Sequence, residues 1–389
     1  MKKYILADRF FLKNQTENRG YLAIENGKFE LFYREKPADA DETNTLNYEG
    51  KWIAPGLVDT HIHGLLGQDV MDNSVEGLER ISDGLLACGV TSFLPTTLTA
   101  STETLNAVVK TIGENYHKVT GAKIQGIFLE GPFFTEKHKG AQNTAYFSDP
   151  EIEALKKWQE LSGGLIKKIA IAAEREGVPK FTEQATASGI KVALGHSDAT
   201  YEEAKKATEA GATIFVHTYN GMSPLHHREP GMVGAALTLD QVFAELICDG
   251  HHVHPAAAKV LMQAKGSNHV ALITDCMRAG AMPDGEYSLG EFPVRVQDGM
   301  AKLHSGSLAG SILKLNEAVK NVVEWEIASP EEAIRMASFT PAMSTGIEIK
   351  CGSISPGLDA DFIVLTPELD LLETYLDGEK RFCSKAKKS

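Results

Sequence analysis

Between residues 56 and 273 the chain repeats one pattern: a short, almost uninterrupted apolar run, then a stretch with helical spacing. Eight such runs occur, at 56–59, 90–94, 124–129, 168–172, 191–194, 213–216, 244–247 and 269–273. Near-continuous apolar runs suit strands buried on both faces. The segments between them read as helices, as in Tyr201-Glu202-Glu203-Ala204-Lys205-Lys206-Ala207 behind a cap at Asp198 or Thr200. Eight strand–helix units predict an α/β fold, a (β/α)8 TIM-type barrel over residues 53–344. The first fifty residues instead alternate in short runs at 4–7, 21–24 and 29–32, with a hairpin turn at Glu25-Asn26-Gly27-Lys28. Residues 352–365 read as turn, then strand. The two ends, 1–52 and 345–389, therefore predict one small β-sandwich domain into which the barrel is inserted.

Composition narrows the function. The 389 residues suit one barrel of roughly 250 residues plus an appendage. A hydrophobic content of 43% supplies a large core. The net charge of −13 argues against a nucleic-acid partner, which needs a basic face, but leaves room for an anionic small molecule. The five cysteines, at 88, 248, 276, 351 and 383, form no CxxC pair and read as reduced thiols of a cytoplasmic protein. The N-terminus meets charge within a few residues, unlike a signal peptide. No apolar run approaches the roughly 18 residues of a membrane span. The Lys-rich end (Lys380, Arg381, Lys385, Lys387, Lys388) reads as a solvated tail.

The chemistry stands where the strands end. His61 and His63 follow the first run, Glu130 the third, His196 the fifth, His217 the sixth and Asp275 the eighth. Taken singly, each is readable as a satisfied polar residue or a cap. Together they occupy the face where barrel enzymes keep their active sites, and they predict a divalent metal site of one or two ions. Imidazole and carboxylate donors suit Zn²⁺, Fe²⁺, Mn²⁺ or Co²⁺. His61 and His63 would hold one ion, His196 and His217 the other, with Glu130 able to bridge. Cys276 is read as packing. Such a site makes hydroxide from bound water near neutral pH and polarises a carbonyl. Asp275 is placed to move a proton from water to a leaving amine. No G-x-S-x-G elbow or Cys–His pairing suggests an acyl-enzyme. The expected reactions are amide or ester hydrolysis, or deamination.

The loop 217–231, HTYNGMSPLHHREPG, is too rich in Asn, Gly, Pro, His and Arg for core. Asn220-Gly221 offers a backbone nest for an anion, and Arg228 a bidentate partner for phosphate. Asp249-Gly250-His251-His252 adds an imidazole donor. Leu308-Ala309-Gly310-Ser311 reads as opening a helix at Ile312, with backbone donors free for a ligand.

These segments resemble the N-acetylglucosamine-6-phosphate deacetylases, a family of the amidohydrolase superfamily. The matching pieces are Pro55-Gly56-Leu57-Val58-Asp59-Thr60-His61-Ile62-His63-Gly64, Leu129-Glu130-Gly131-Pro132-Phe133, Gly195-His196-Ser197-Asp198-Ala199, the 217–231 loop, Asp249 to Val253, Leu308 to Ser311 and Gly352 to Asp361. Many superfamily members bridge their metals with a carboxylated Lys after the fourth strand. Here that strand runs into Ala172-Ala173-Glu174-Arg175, and Glu130 takes over. The resemblance implies metal ligands Glu130, His196 and His217 and a catalytic Asp275. It implies substrate contacts from Ala141, Gln142, Asn220, Gly221, Arg228, His252, Leu308, Ala309 and Gly310. Some members carry His where Gln142 stands, and some lack the HxH pair that this chain keeps. The implied reaction takes N-acetyl-D-glucosamine 6-phosphate to D-glucosamine 6-phosphate and acetate, in a homodimer. Two other readings stay open: a dihydroorotase-like or N-acyl-amino-acid deacylase relative, and a non-catalytic sugar-phosphate sensor.

Overall fold

The computed structural model describes residues 2–385, so Lys387 and Lys388 of the Lys-rich end lie outside it. Eight parallel strands form the barrel wall: β1 (Leu57–Ile62), β2 (Val90–Thr97), β3 (Ile127–Glu130), β4 (Ile166–Ile171), β5 (Lys191–Leu194), β6 (Ile214–Phe215), β7 (Phe243–Ile247) and β8 (Val270–Ile273). Each pairs with the next in chain order. The predicted runs all fall on these strands. The wall closes beyond the strand ends, where Ile62 bridges Cys276 and the Asp275 N–H donates to the His61 carbonyl at 2.9 Å. The seam of the barrel therefore holds two of the expected site residues.

A helix follows each strand: α1 (Val75–Leu86), α2 (Thr102–Asn115), α3 (Ile152–Leu161), α4 (Val178–Ala187), α5 (Tyr201–Glu209), α6 (Gly231–Thr238), α7 (Pro255–Lys265) and α8 (Leu315–Glu324). The cap of α5 is Thr200, whose side chain and Glu203 form a reciprocal capping box. Asp198 is spent elsewhere, on Lys137 and His138. Between β8 and α8 lies an antiparallel three-stranded insert, Gly285–Leu289, Phe292–Gln297 and Met300–Leu303, absent from the sequence reading. Its Leu289 and Val294 pack with Leu98, Met277 and Ala309 over the barrel mouth. The expected helix at Ile312 does not form. Ser311 N–H donates to the Asp275 carbonyl at 2.7 Å and Met277 N–H to the Ser311 carbonyl at 2.9 Å. This ladder holds the segment extended until α8 begins three residues later than expected.

The chain ends meet in one seven-stranded sheet. Strand Thr45–Pro55 lies between Lys3–Phe11 and Phe362–Leu365. The sheet curls over a shared core. Phe29 and Phe362 approach with ring centroids 6.4 Å apart, although three strands separate theirs in the sheet order. The hairpin turn is as expected, with Asn26 and Gly27 at φ of +51° and +75°. Lys123, from the barrel side, reaches Asp359, Asp361 and Asp377 at 2.9, 3.0 and 2.7 Å, tying sheet to barrel. Lys123→Met leaves Asp361 and Asp377 without their cation, while Asp359 keeps Lys28 at 2.9 Å. It is expected to cost about 1–3 kcal/mol, read as a lower urea midpoint at unchanged slope. Among the described residues no helix is long and apolar enough to cross a membrane.

Candidate metal centre and active site

The barrel mouth gathers the expected residues from five strand ends. His61 is the penultimate residue of β1 and Glu130 the last of β3. His196, His217 and Asp275 stand just past their strands with φ of +46°, +30° and +49°. Left-handed backbone costs a non-glycine residue on the order of 1–3 kcal/mol. Its repetition at three site residues shows the surrounding structure enforcing the geometry.

Glu130 Oε1 is the focus. It lies 3.2 Å from His61 Nε2, 3.3 Å from His196 Nε2 and 3.2 Å from His217 Nε2. Glu130 Oε2 lies 3.4 Å from His63 Nε2, and Asp275 Oδ1 lies 3.1 Å from His63 Nε2 and 3.5 Å from His61 Nε2. The outer nitrogen of every ring is already committed. His196 Nδ1–H donates to the His138 carbonyl at 2.9 Å, His217 Nδ1–H to the Asn220 carbonyl at 3.1 Å, and His63 Nδ1–H to the Thr96 carbonyl at 3.2 Å. His61 Nδ1 meets the Glu245 carboxylate at 3.0 Å. Carbonyls and carboxylates only accept, so each Nδ1 carries the hydrogen and each Nε2 presents a lone pair.

This arrangement fits a metal. The Nε2 atoms of His196 and His217 face each other at 3.1 Å. Two lone pairs at that distance are reconciled by a cation between them. His61 Nε2 is buried with no hydrogen-bond partner among the described residues. Three overlapping groups, Glu130/His196/His217, His61/His63/Glu130 and His61/His217/Asp275, each bring their ligand atoms within 4.8 Å of one another. Fixing the far nitrogen of each imidazole is what metal-binding histidines require. Electrostatics agree with a cation-seeking site. Burial alone would raise the Asp275 carboxyl, but His61 and His63 outweigh it and hold it at about 2. Burial alone would likewise lower His61, but Asp275 and Glu130 raise it to about 9, so the carboxylates that favour a proton on Nε2 would equally favour a metal cation in its place. Cys276 is buried, with its thiol pushed up by desolvation, and belongs to the main core as read from the sequence.

A cavity of about 370 Å³ opens above this cluster. His63, Glu130, His196, His217 and Asp275 form one wall of it, and Ala141, Gln142, Asn220, Gly221, His252, Leu308 and Gly310 also line it. Asn220 Nδ2 is buried there with no partner among the described residues, a donor free for a ligand. His252 is held by Asp249 through Nδ1 at 2.6 Å. Gly221, at φ +59°, could carry no Cβ without crowding His196 Nδ1 at 3.2 Å.

Three expected substrate contacts have partners within the protein. Arg228 does not line the cavity; it sits on an exposed loop, its guanidinium 2.7 Å from His227 Nε2. Ala309 is fully buried in the apolar cluster under the insert, because the ladder at 308–311 turns its side chain there. Gln142 lines the cavity but has spent its amide. Its Nε2 donates to Glu130 Oε2 at 2.7 Å and its Oε1 accepts from Thr99 N–H at 2.8 Å, so it orients Glu130. Four residues were missed by sequence reasoning. Lys137 and His138 line the cavity from a loop whose polar composition carried no pattern. Lys168 and Glu245 lie inside the barrel below His61; the lone charge in Phe243–Ile247 was the signal for Glu245, while Lys168 stands beside Lys167 in its strand and carried none.

Known proteins share this architecture along nearly the whole chain. The N-acetylglucosamine-6-phosphate deacetylase of Vibrio furnissii is 44% identical over 331 residues, 85% of this chain and 83% of its own. The N-acetylgalactosamine-6-phosphate deacetylase of Escherichia coli is 40% identical over 332 residues, 85% of this chain and 88% of its own. The solved structure of a mutant N-acetyl-D-glucosamine-6-phosphate deacetylase from Mycobacterium smegmatis, in complex with N-acetyl-D-glucosamine-6-phosphate, superposes with a TM-score of 0.92. It is 28% identical, covering 98% of this chain and 99% of that one. The model of the amidohydrolase family matches residues 52–383, a span that takes in every strand end carrying the imidazole and carboxylate cluster. The barrel, the cluster at its mouth and these similarities agree that the chain belongs to the amidohydrolase family.

Proposed function

We propose that the protein hydrolyses N-acetyl-D-glucosamine 6-phosphate to D-glucosamine 6-phosphate and acetate. One observation carries this reading: the imidazole and carboxylate cluster and Asp275 share a single cavity with Asn220 and His252, donor groups placed for an anion. Glu130, His196 and His217 would hold a divalent ion, and His61 and His63 a second. Zn²⁺ or Fe²⁺ suits the donor set best, with Mn²⁺ and Co²⁺ also compatible. Such an ion supplies Lewis acidity toward the acetamide carbonyl and lowers the pKa of a bound water to about 7. Asn220 Nδ2, the Gly221 backbone and His252 bind the phosphate and so fix the 2-acetamido group over the cluster. Asp275 accepts a proton from the attacking water at a carboxylate oxygen. It returns that proton to the sugar nitrogen as the C–N bond breaks, so acetate and the free amine leave. The five unpaired cysteines support a reducing, cytoplasmic setting. A second copy of the chain is the partner that family resemblance implies, and the elution volume on gel filtration should be that of a dimer.

Acetate release from phosphorylated and unphosphorylated N-acetylglucosamine tests the assignment. The phosphorylated sugar should be strongly preferred. His252→Ala should lower its kcat/KM by about 10- to 150-fold, the loss of a charge-assisted hydrogen bond of roughly 1.5–3 kcal/mol, and leave the unphosphorylated sugar nearly unaffected. Equal turnover of the two sugars by the parent protein would make the substrate a different amide. The galactosamine epimer belongs in the same panel, because one of the 40%-identical relatives is named for it.

A further inference from the structure

Beneath the metal centre the barrel interior holds a charge pair with no role in the reaction above. Lys168 on β4 and Glu245 on β7 are both fully buried. Lys168 Nζ hydrogen-bonds Glu245 Oε1, lies 3.3 Å from the Thr60 carbonyl and stands 3.6 Å from the centroid of the Phe128 ring. The other Glu245 oxygen is 3.0 Å from His61 Nδ1. Phe128 also meets the His61 ring edge-on, centroids 4.9 Å apart. A buried ion pair is weak support for stability, since apolar residues of similar volume often serve as well or better. The four imidazoles of the site also differ in one respect. His63, His196 and His217 are oriented by neutral backbone carbonyls, and His61 alone by a carboxylate.

We propose that Lys168 and Glu245 are positioning residues for the metal centre. Glu245 fixes His61 with Nε2 toward the ion and strengthens it as a donor, and Lys168 holds the carboxylate in place. The proposal rests on His61 being a metal ligand. An anion accepting the Nδ1 hydrogen leaves more electron density at Nε2, and partners of this kind typically govern 10- to 100-fold in metal affinity. Lys168, bonded to one Glu245 oxygen and anchored at the Thr60 carbonyl, fixes the carboxylate so that its other oxygen stays on His61 Nδ1.

The test compares metal-loaded parent protein with His61→Ala, Glu245→Gln, Lys168→Met and the double variant Lys168→Met/Glu245→Gln. Each is equilibrated with graded chelator, its ions per chain are counted by elemental analysis, and its melting temperature is recorded. His61→Ala identifies the ion that depends on His61. Glu245→Gln is expected to weaken retention of that same ion by about 10- to 100-fold and to leave the Glu130/His196/His217 ion in place. The single changes break a buried pair and should lower the melting temperature. The double variant removes both charges and should recover much of it without recovering metal affinity. A double variant with parental melting and parental metal retention would show the pair to be packing alone. Full metal retention by His61→Ala would remove His61 from the ligand set and this proposal with it, a failure distinct from parental retention by Glu245→Gln alone.

Discussion

Asp275→Asn is expected to lower turnover by about 10²–10⁴-fold, the range of a general acid–base group, with fold and metal content preserved. The carboxamide keeps the size and one oxygen of the side chain. The Asp275 N–H and C=O that tie the barrel seam to His61 and Ser311 are backbone groups and stay unchanged. What is lost is an oxygen able to take a proton. Asp275 is suited to that task by place: it faces the cavity and is flanked by His63 at 3.1 Å. Kinetics on protein whose metal content has been matched to the parent measure the effect. Near-parental kcat in such a preparation would remove Asp275 from the mechanism. Metal loss in step with activity would make it a ligand instead of a proton carrier.

Glu130→Gln should remove metal and activity together, with metal affinity falling by more than the 10- to 100-fold that outer partners control. One oxygen of Glu130 is shared by His61, His196 and His217. Replacing the carboxylate takes away the charge that balances a dication and leaves the facing His196 and His217 lone pairs without it. Gln142, which donates to Glu130, would then meet a neutral amide. His196→Ala should act in the same direction by removing one of the facing pair. His61→Ala discriminates between one and two working ions. Activity lost with the metal means both ions serve; activity retained after loss of about one ion per chain places the chemistry at Glu130/His196/His217. Elemental analysis beside acetate release reads all three variants, and unchanged metal content throughout would contradict the cluster as a metal site.

The barrel was legible in the sequence because a strand covered on both faces must be apolar along its length, and eight such runs leave few alternatives. The metal cluster was legible because its members stand at strand ends, and a parallel barrel brings those ends to one mouth whatever the loops do. The Asn26-Gly27 hairpin and the Thr200 cap were equally local, set by residues within four positions of each other. Contacts between segments distant along the chain were beyond such reasoning. The ladder joining 275–277 to 308–311 replaced an expected helix start and buried Ala309, because backbone groups paired across the barrel seam outcompete local helix preference. Arg228 reads as a phosphate ligand by type, yet only the course of the 217–231 loop decides where its guanidinium stands. Gln142 reads as a substrate contact, but its amide is spent on Glu130 and Thr99 from residues 12 and 43 positions away. The Lys168–Glu245 pair is the clearest case. Glu245 is a lone charge in an apolar strand and Lys168 one of two adjacent lysines in its own, and only the closed barrel sets them together under His61, where a carboxylate can act on an imidazole 184 residues away.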